Sequence, residues 1–297
     1  MPSDYRTQES GCNGNEPVSA HVPRLDYVDV GSGPAVLLVH GTGMSRDFWR
    51  LNLPSLARDF RLIVPSLPGC GRSPRLPSRP RDLRPYADAL VGLLDELGVP
   101  SLMAVGHSLG GLICLRLARD HPLRVSELVL VDSGGAPLSR ARLWLITRLL
   151  IPAGVLIARP WVIRAVLKRP GLRRRLLAHS VNDPALTDLA VFADALRSFS
   201  LPGLIDAVKA GTREQESITV TDISVPATVI WGRNDRILPL HLGVALAEQL
   251  PHATLDVLDG SGHAPMVEQP AAFEAALKRA AERSTCRRPT SIRANEP

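Results

Sequence analysis

Ser101-Leu102-Met103-Ala104-Val105-Gly106-His107-Ser108-Leu109-Gly110-Gly111 decides the fold. Its first five residues make a short, nearly apolar run. From Leu109 to Asp120 apolar residues recur at helical spacing. The order is therefore strand, sharp turn, helix, with Ser108 on the turn. Glycines at 106 and 110 remove side chains that would collide in such a turn, and the hydroxyl between them is held up at the edge of a sheet. Gly-x-Ser-x-Gly alone is a frequent accident of composition. Its position between a buried strand and a helix gives it weight.

Outward from this stretch the same alternation repeats. Arg24–Val30 alternates like an edge strand, and Ala35–His40 is an apolar run ending in Gly41-Thr42-Gly43. Arg61–Val64 is followed by a Gly/Pro/Ser loop, Asp82–Leu97 has helical spacing, and Glu127–Val131 is a strand ending at Asp132. Later come the strand Ala227–Trp231, a helix near Leu240–Leu250, the strand Ala253–Leu258 and a helix near Ala271–Arg283. Apolar runs of this kind are buried on both faces, which belongs to a parallel sheet covered by helices. The expected class is α/β, a doubly wound, mostly parallel sheet with right-handed crossovers, whose reacting groups sit at the carboxyl ends of the strands. The expected organisation is a disordered lead-in over 1–20, a core over 21–134 and 222–283, a basic helical cap over 135–221 and a frayed tail over 284–297.

Composition narrows the class. The chain has 297 residues, 45% hydrophobic and 22% charged, which excludes a mainly disordered chain, a collagen and a coiled coil. No apolar stretch is long enough to span a bilayer, and Met1–Pro17 lacks the apolar centre of a signal peptide. Four widely spaced cysteines, Cys12, Cys70, Cys114 and Cys286, show no metal-ligand spacing. Reduced thiols and a cytoplasmic location are expected, with Cys114 in the core. The net charge of +6 is concentrated: between Asp132 and Asp183 there is no acid, while ten basic residues run from Arg140 to Arg175. A coding preference for arginine explains part of this. A positive patch for an acidic carrier protein, a phosphate-bearing thioester or an anionic membrane surface is the alternative. Few aromatics and no recognised motif exclude nucleic acid as the partner.

A serine nucleophile needs a base. Asp259-Gly260-Ser261-Gly262-His263 follows a strand late in the chain, and His263 fits that role. His40 ends a strand and is expected to shape the following turn instead. The base in turn needs a carboxylate to hold its tautomer. Asp235, after Ala227–Trp231, gives the chain order Ser108, Asp235, His263 found in this architecture, and Asp132 is the alternative. Two backbone N–H groups should face the developing oxyanion, those of Leu109 at a helix start and Thr42 in the first glycine-rich turn. Neither a phosphate loop nor a metal cluster is evident, so no cofactor and no metal are expected.

Together these motifs resemble the α/β-hydrolase superfamily, in its capped, cofactor-free serine branch. The family's first-strand His-Gly turn matches His40-Gly41, and its Gly-x-Gly-x-Ser loop matches Gly69-Cys70-Gly71-Arg72-Ser73. The nucleophile elbow matches Gly106 to Gly111, the Gly-x-x-Asp acid matches Gly232 to Asp235, and Gly-His-x-Pro-x-x-Glu matches Gly262 to Glu268. Ser66 departs from the pattern, since family members often carry Asp there to brace loops. The resemblance implies hydrolysis of a small, largely apolar ester-like substrate through an acyl-enzyme. Thioester or carbon–carbon bond hydrolysis, or a ligand-binding role without catalysis, are the alternatives. Ser108 sets aside the epoxide hydrolase and haloalkane dehalogenase branches, which use Asp. His107 weighs against the carbon–carbon hydrolases, which usually place Asn before the serine.

Overall fold

The computed structural model describes residues 23–136 and 201–287 together with separate positions between them, 180–183 included. Most of the expected cap, including the apolar stretch Trp144–Ile157 apart from Arg148, therefore lies outside the described residues, as do the lead-in and residues 288–297.

Seven strands form one sheet: β1 (Tyr27–Val30), β2 (Ala35–Val39), β3 (Arg61–Pro65), β4 (Leu102–His107), β5 (Val125–Val131), β6 (Ala227–Gly232) and β7 (Ala253–Leu258). Their order is β1-β3-β2-β4-β5-β6-β7. Only β1 runs antiparallel to its neighbour, pairing with β3 from Tyr27 opposite Pro65 to Val30 opposite Leu62. The helices are α1 (Leu53–Leu56), α2 (Arg84–Glu96), α3 (Leu109–Asp120), α4 (Leu201–Ser217), α5 (Leu240–Gln249), α6 (Pro265–Glu268) and α7 (Pro270–Arg287).

Strand side chains alternate between two cores, as the period of two requires. Leu37, Val39, Ile63, Ala104, Leu128, Leu130, Val229 and Trp231 meet Tyr86 and Leu90 of α2, Ile113 and Leu117 of α3 and Leu246 of α5. Val36, Leu38, Leu62, Val64, Met103, Val105, Val129, Val131 and Ile230 meet Phe48, Trp49 and Phe273 and Leu277 of α7. Both faces are dry, so every central strand reads as a continuous apolar run. The doubly wound expectation holds.

Differences lie at the boundaries. The carboxyl-terminal part of the segment expected as cap is helical, as α4, which runs from Leu201 to Ser217. Helix α7 runs to Arg287, into the stretch expected as tail. Short α1 and α6 have too few residues to carry a helical period. Arg148, Arg159, Lys168, Arg169, Arg174 and Arg175 of the basic segment are exposed, beside exposed Trp161. Among the described residues no helix is long and apolar enough to cross a membrane.

Candidate active site

The turn between β4 and α3 carries Ser108 at φ 52° and ψ −117°, a conformation that costs a non-glycine residue about 1–3 kcal/mol. Surrounding bonds over-determine it. The Ser108 N–H donates to the Val131 carbonyl (3.0 Å), and the Ser108 carbonyl accepts from the N–H groups of Gly111 (3.1 Å) and Gly134 (3.1 Å). The neighbouring glycines are required by close approach: a Cβ on Gly106 would lie 2.4 Å from the Gly110 carbonyl oxygen, and one on Gly110 would lie 2.4 Å from that of Val39.

The sheet order then sets the partners. β4, β5, β6 and β7 are consecutive neighbours, so the loops after them share one edge. His263, beyond β7, has Nε2 3.2 Å from Ser108 Oγ, and its Nδ1 lies 2.7 Å from Asp235 Oδ2. The other Asp235 oxygen accepts from the N–H groups of Ile237 (2.7 Å) and Leu238 (2.9 Å). Burial alone would raise the Asp235 carboxyl. The His263 charge and these donors outweigh burial and hold it below the usual carboxylate range. Asp132 also reaches this edge, but its bonded oxygen, Oδ1, accepts from the Gly232 N–H (2.9 Å). The structure thus brings Ser108, His263 and Asp235 into one line, with Asp132 beside it.

The loop bearing His263 is fixed from several sides. The His263 N–H donates to the Ser180 carbonyl at 3.1 Å. Glu268 of α6, the last residue of the Gly-His-x-Pro-x-x-Glu motif, accepts from the N–H groups of Gly262 (3.0 Å), Ala264 (3.1 Å) and Asn182 (2.6 Å). The Asn182 side chain donates to the Gly260 carbonyl (2.9 Å) and accepts from Asn234 (2.9 Å), tying the loop before Asp235 to the loop before His263. Sequence reasoning missed this clamp, because Asn182 sits in a stretch whose only visible signal was helical spacing and positive charge.

Two other histidines are structural. His40 Nδ1–H donates to the Gly41 carbonyl (2.9 Å) and its Nε2 accepts from the Leu67 N–H (2.9 Å), so it shapes the glycine turn as expected. His107 Nε2–H donates to the His263 carbonyl at 2.7 Å, and its ring lies against Phe48 and His263. Burial pushes His40 down to about 4. Burial, followed by the charge of His263, pushes His107 to about 3. Both folded values lie below the unfolded one, so the unfolded chain binds more protons below neutrality. The stability they contribute is full above about pH 6.5 and is lost as pH falls toward 4, by roughly 3 kcal/mol each. Urea unfolding at pH 7 and pH 4.5 should show this loss, reduced in His107→Gln. Equal loss in wild type and variant would contradict it.

The remaining expected positions fall as follows. Leu109 opens α3, and Thr42 lies in the turn after β2, where a Cβ on Gly41 would come within 3.1 Å of Ser108 Cβ. Among the described residues neither amide hydrogen has a backbone acceptor, which leaves both available to a ligand. Ser66 still braces loops without a carboxylate: its carbonyl accepts from the Ser73 hydroxyl (2.6 Å) and its Oγ accepts from the Arg46 N–H (3.2 Å). Cys70 and Cys114 are buried. Burial pushes the Cys70 thiol up to about 12 and Cys114 up as well, so neither offers a thiolate. Among the described residues, the metal-capable side chains whose donor atoms converge, all within 4.8 Å, are Asp132, Asp235 and His263. Within that group His263 Nδ1 bonds directly to Asp235 Oδ2.

Known proteins share this fold. At 28% identity, the 2-hydroxy-6-oxononadienedioate/2-hydroxy-6-oxononatrienedioate hydrolase of a Pseudomonas species aligns over 79% of this chain and 83% of its own. A thermophilic esterase of Thermogutta terrifontis superposes with a TM-score of 0.70 at 26% identity, covering 88% of this chain and 94% of that one. The meta-cleavage product hydrolase CumD of Pseudomonas fluorescens IP01, at 24% identity and a TM-score of 0.70, shares the fold over 88% of this chain and 94% of its own. The alpha/beta hydrolase family matches residues 36–276. With the sheet order, the elbow and that match in agreement, the chain belongs to the alpha/beta hydrolase family and is a hydrolase.

Proposed function

We propose that the chain is a serine hydrolase cleaving a carboxylic-ester-like bond of a small, largely apolar substrate through an acyl-enzyme. The observation that carries this is the continuous path from Ser108 Oγ to His263 Nε2 (3.2 Å) and from His263 Nδ1 to Asp235 Oδ2 (2.7 Å). With Nδ1–H given to Asp235, Nε2 presents its lone pair to the hydroxyl. His263 takes the serine proton as Oγ attacks the carbonyl carbon, and the buried Asp235 charge steadies the imidazolium. Negative charge gathers on the carbonyl oxygen, where the Leu109 and Thr42 amides would hold it; one such donor is worth about 3 kcal/mol in comparable sites. Collapse releases the alcohol with the proton from His263. Water, activated by the same nitrogen, then frees the acid and restores Ser108.

The activities named for the relatives, ester hydrolysis and hydrolysis of an unsaturated oxo-acid, support a carbonyl substrate and differ in the leaving group. His107 favours oxygen as the leaving atom, because it stands where carbon–carbon hydrolases usually place Asn and its Nε2 is committed to the His263 carbonyl. A panel of p-nitrophenyl esters, acyl thioesters and vinylogous 1,5-diketones tests the assignment. Short esters should turn over fastest. Turnover of the diketones alone would move the chain to the carbon–carbon class. A ligand bound tightly and released unchanged by wild type and Ser108→Ala alike would make it a binding protein.

A further inference from the structure

The carboxyl of Asp132 has a place in the site that the reaction above does not use. It closes β5, the strand between those that carry Ser108 and Asp235. Its backbone has a positive φ of 41°, rare for a residue other than glycine, and it is fully buried. The backbone is held there by its N–H, which donates to the Ile230 carbonyl at 3.0 Å. One side-chain oxygen, Oδ1, accepts from the Gly232 N–H at 2.9 Å. The other, Oδ2, is buried without a donor. Donor atoms of Asp132, Asp235 and His263 all lie within 4.8 Å of one another.

Two carboxylates this close cannot both ionise in a dry site. The count of donors decides which one does. Asp235 faces two backbone N–H groups and His263 Nδ1–H, whereas Asp132 faces one N–H. The proton therefore belongs on Asp132, at the oxygen that lacks a donor. Placed there, it turns an unsatisfied acceptor into a donor and leaves no buried oxygen of the pair without a partner.

Resting on the serine hydrolase reading, we propose that Asp132 is a positioning residue of the proton path, a neutral carboxylic acid that donates its O–H to Asp235 and so fixes the carboxylate that orients His263. No bond is made or broken at Asp132, and its proton stays on the residue through the cycle. The O–H withdraws charge from Asp235, keeping that carboxylate ionised beside the imidazolium and leaving the proton on His263 for delivery to the leaving group. Burial and the Asp235 charge, which raise the Asp132 carboxyl well above the ordinary carboxylate range, agree with this assignment. The titratable groups facing it are Asp235 beyond β6, His263 beyond β7 and Glu268 on α6. His107 at the end of β4 lies behind His263.

Infrared difference spectra test the proton directly and need no turnover. Wild type at pH 7 should show the carbonyl stretch of a protonated carboxylic acid, and Asp132→Asn should lack it. Absence of that band in wild type, or its persistence in Asp132→Asn, overturns the proposal even if the chain proves to hydrolyse esters. The activity arm uses the pH profile of kcat/KM. Asp132→Asn keeps a donor and removes no charge, so its acid limb should coincide with wild type. If Asp132 were a carboxylate, the same change would strip a negative charge from beside His263 and move that limb down by about one unit or more, which overturns the proposal. Asp132→Leu removes the donor, and its kcat should fall roughly tenfold or more below that of Asp132→Asn with KM unchanged. Equal kcat in the two variants would also contradict it. Should no ester be turned over, the serine hydrolase reading falls, and the infrared result still decides where the proton sits.

Discussion

Ser108→Ala is expected to lower the turnover of p-nitrophenyl esters by about 10⁴-fold or more, because the base, the acid and the oxyanion donors have nothing to act on once the nucleophile is gone. The fold should survive. Ser108 is not fully buried, and its structural bonds use the backbone N–H and carbonyl, which alanine keeps. The methyl group inherits the strained φ of 52° without adding to it. The melting temperature should therefore stay within a few degrees of wild type, and KM should change far less than kcat. A variant that retains a tenth of the activity would mean that catalysis runs elsewhere.

The largest stability effect is expected at Glu214 on α4. Its side chain is fully buried, and Arg116 of α3, 5% exposed, faces it. The Arg116 Nη1 donates to both carboxylate oxygens, at 3.1 and 3.0 Å, and the Leu83 N–H ahead of α2 donates at 3.2 Å. Three elements thus meet on one carboxylate. Glu214→Ala leaves a buried guanidinium with Asp120 as its remaining close partner and strands an amide. Removing one member of a buried pair costs about 3–5 kcal/mol. For a chain of this size that corresponds to a fall in melting temperature of roughly 5–8 °C. Glu214→Gln, which keeps an acceptor for Leu83, should fall between the two. Helix α4 also crosses the elbow, since a Cβ on Gly211 would meet Leu109 Cδ1 at 2.5 Å. Loosening α4 should therefore lower activity as well. No change in melting temperature on Glu214→Ala would mean that α4 is not anchored through this carboxylate.

The sheet was legible in the sequence because its central strands are buried on both faces. Leu37, Ala104, Val129 and Ile230 had to be apolar whichever core they entered, so the runs stand out without any period. Ser108, Asp235 and His263 were legible because each follows such a run, and parallel neighbours bring the ends of their runs to one edge. Other features were hidden for identifiable reasons. The pairing of Glu214 with Arg116 joins two helices far apart in the chain, and neither residue breaks the helical pattern of its own segment. Asn182 acts through loops that local spacing does not encode. Asp132 was visible as a second acid at a strand end. Its relation to Asp235, one carboxyl sharing a site with another, depends on side-chain geometry that the order of residues leaves open.

Covalent labelling tests the central claim most directly. Protein treated with a fluorophosphonate and analysed by intact mass and peptide mapping should carry one adduct, on Ser108. The rate of labelling should collapse in His263→Ala, which keeps the hydroxyl and removes the nitrogen 3.2 Å from it. An unlabelled wild-type chain, an adduct on another residue, or equal labelling of His263→Ala would contradict a serine activated by that histidine.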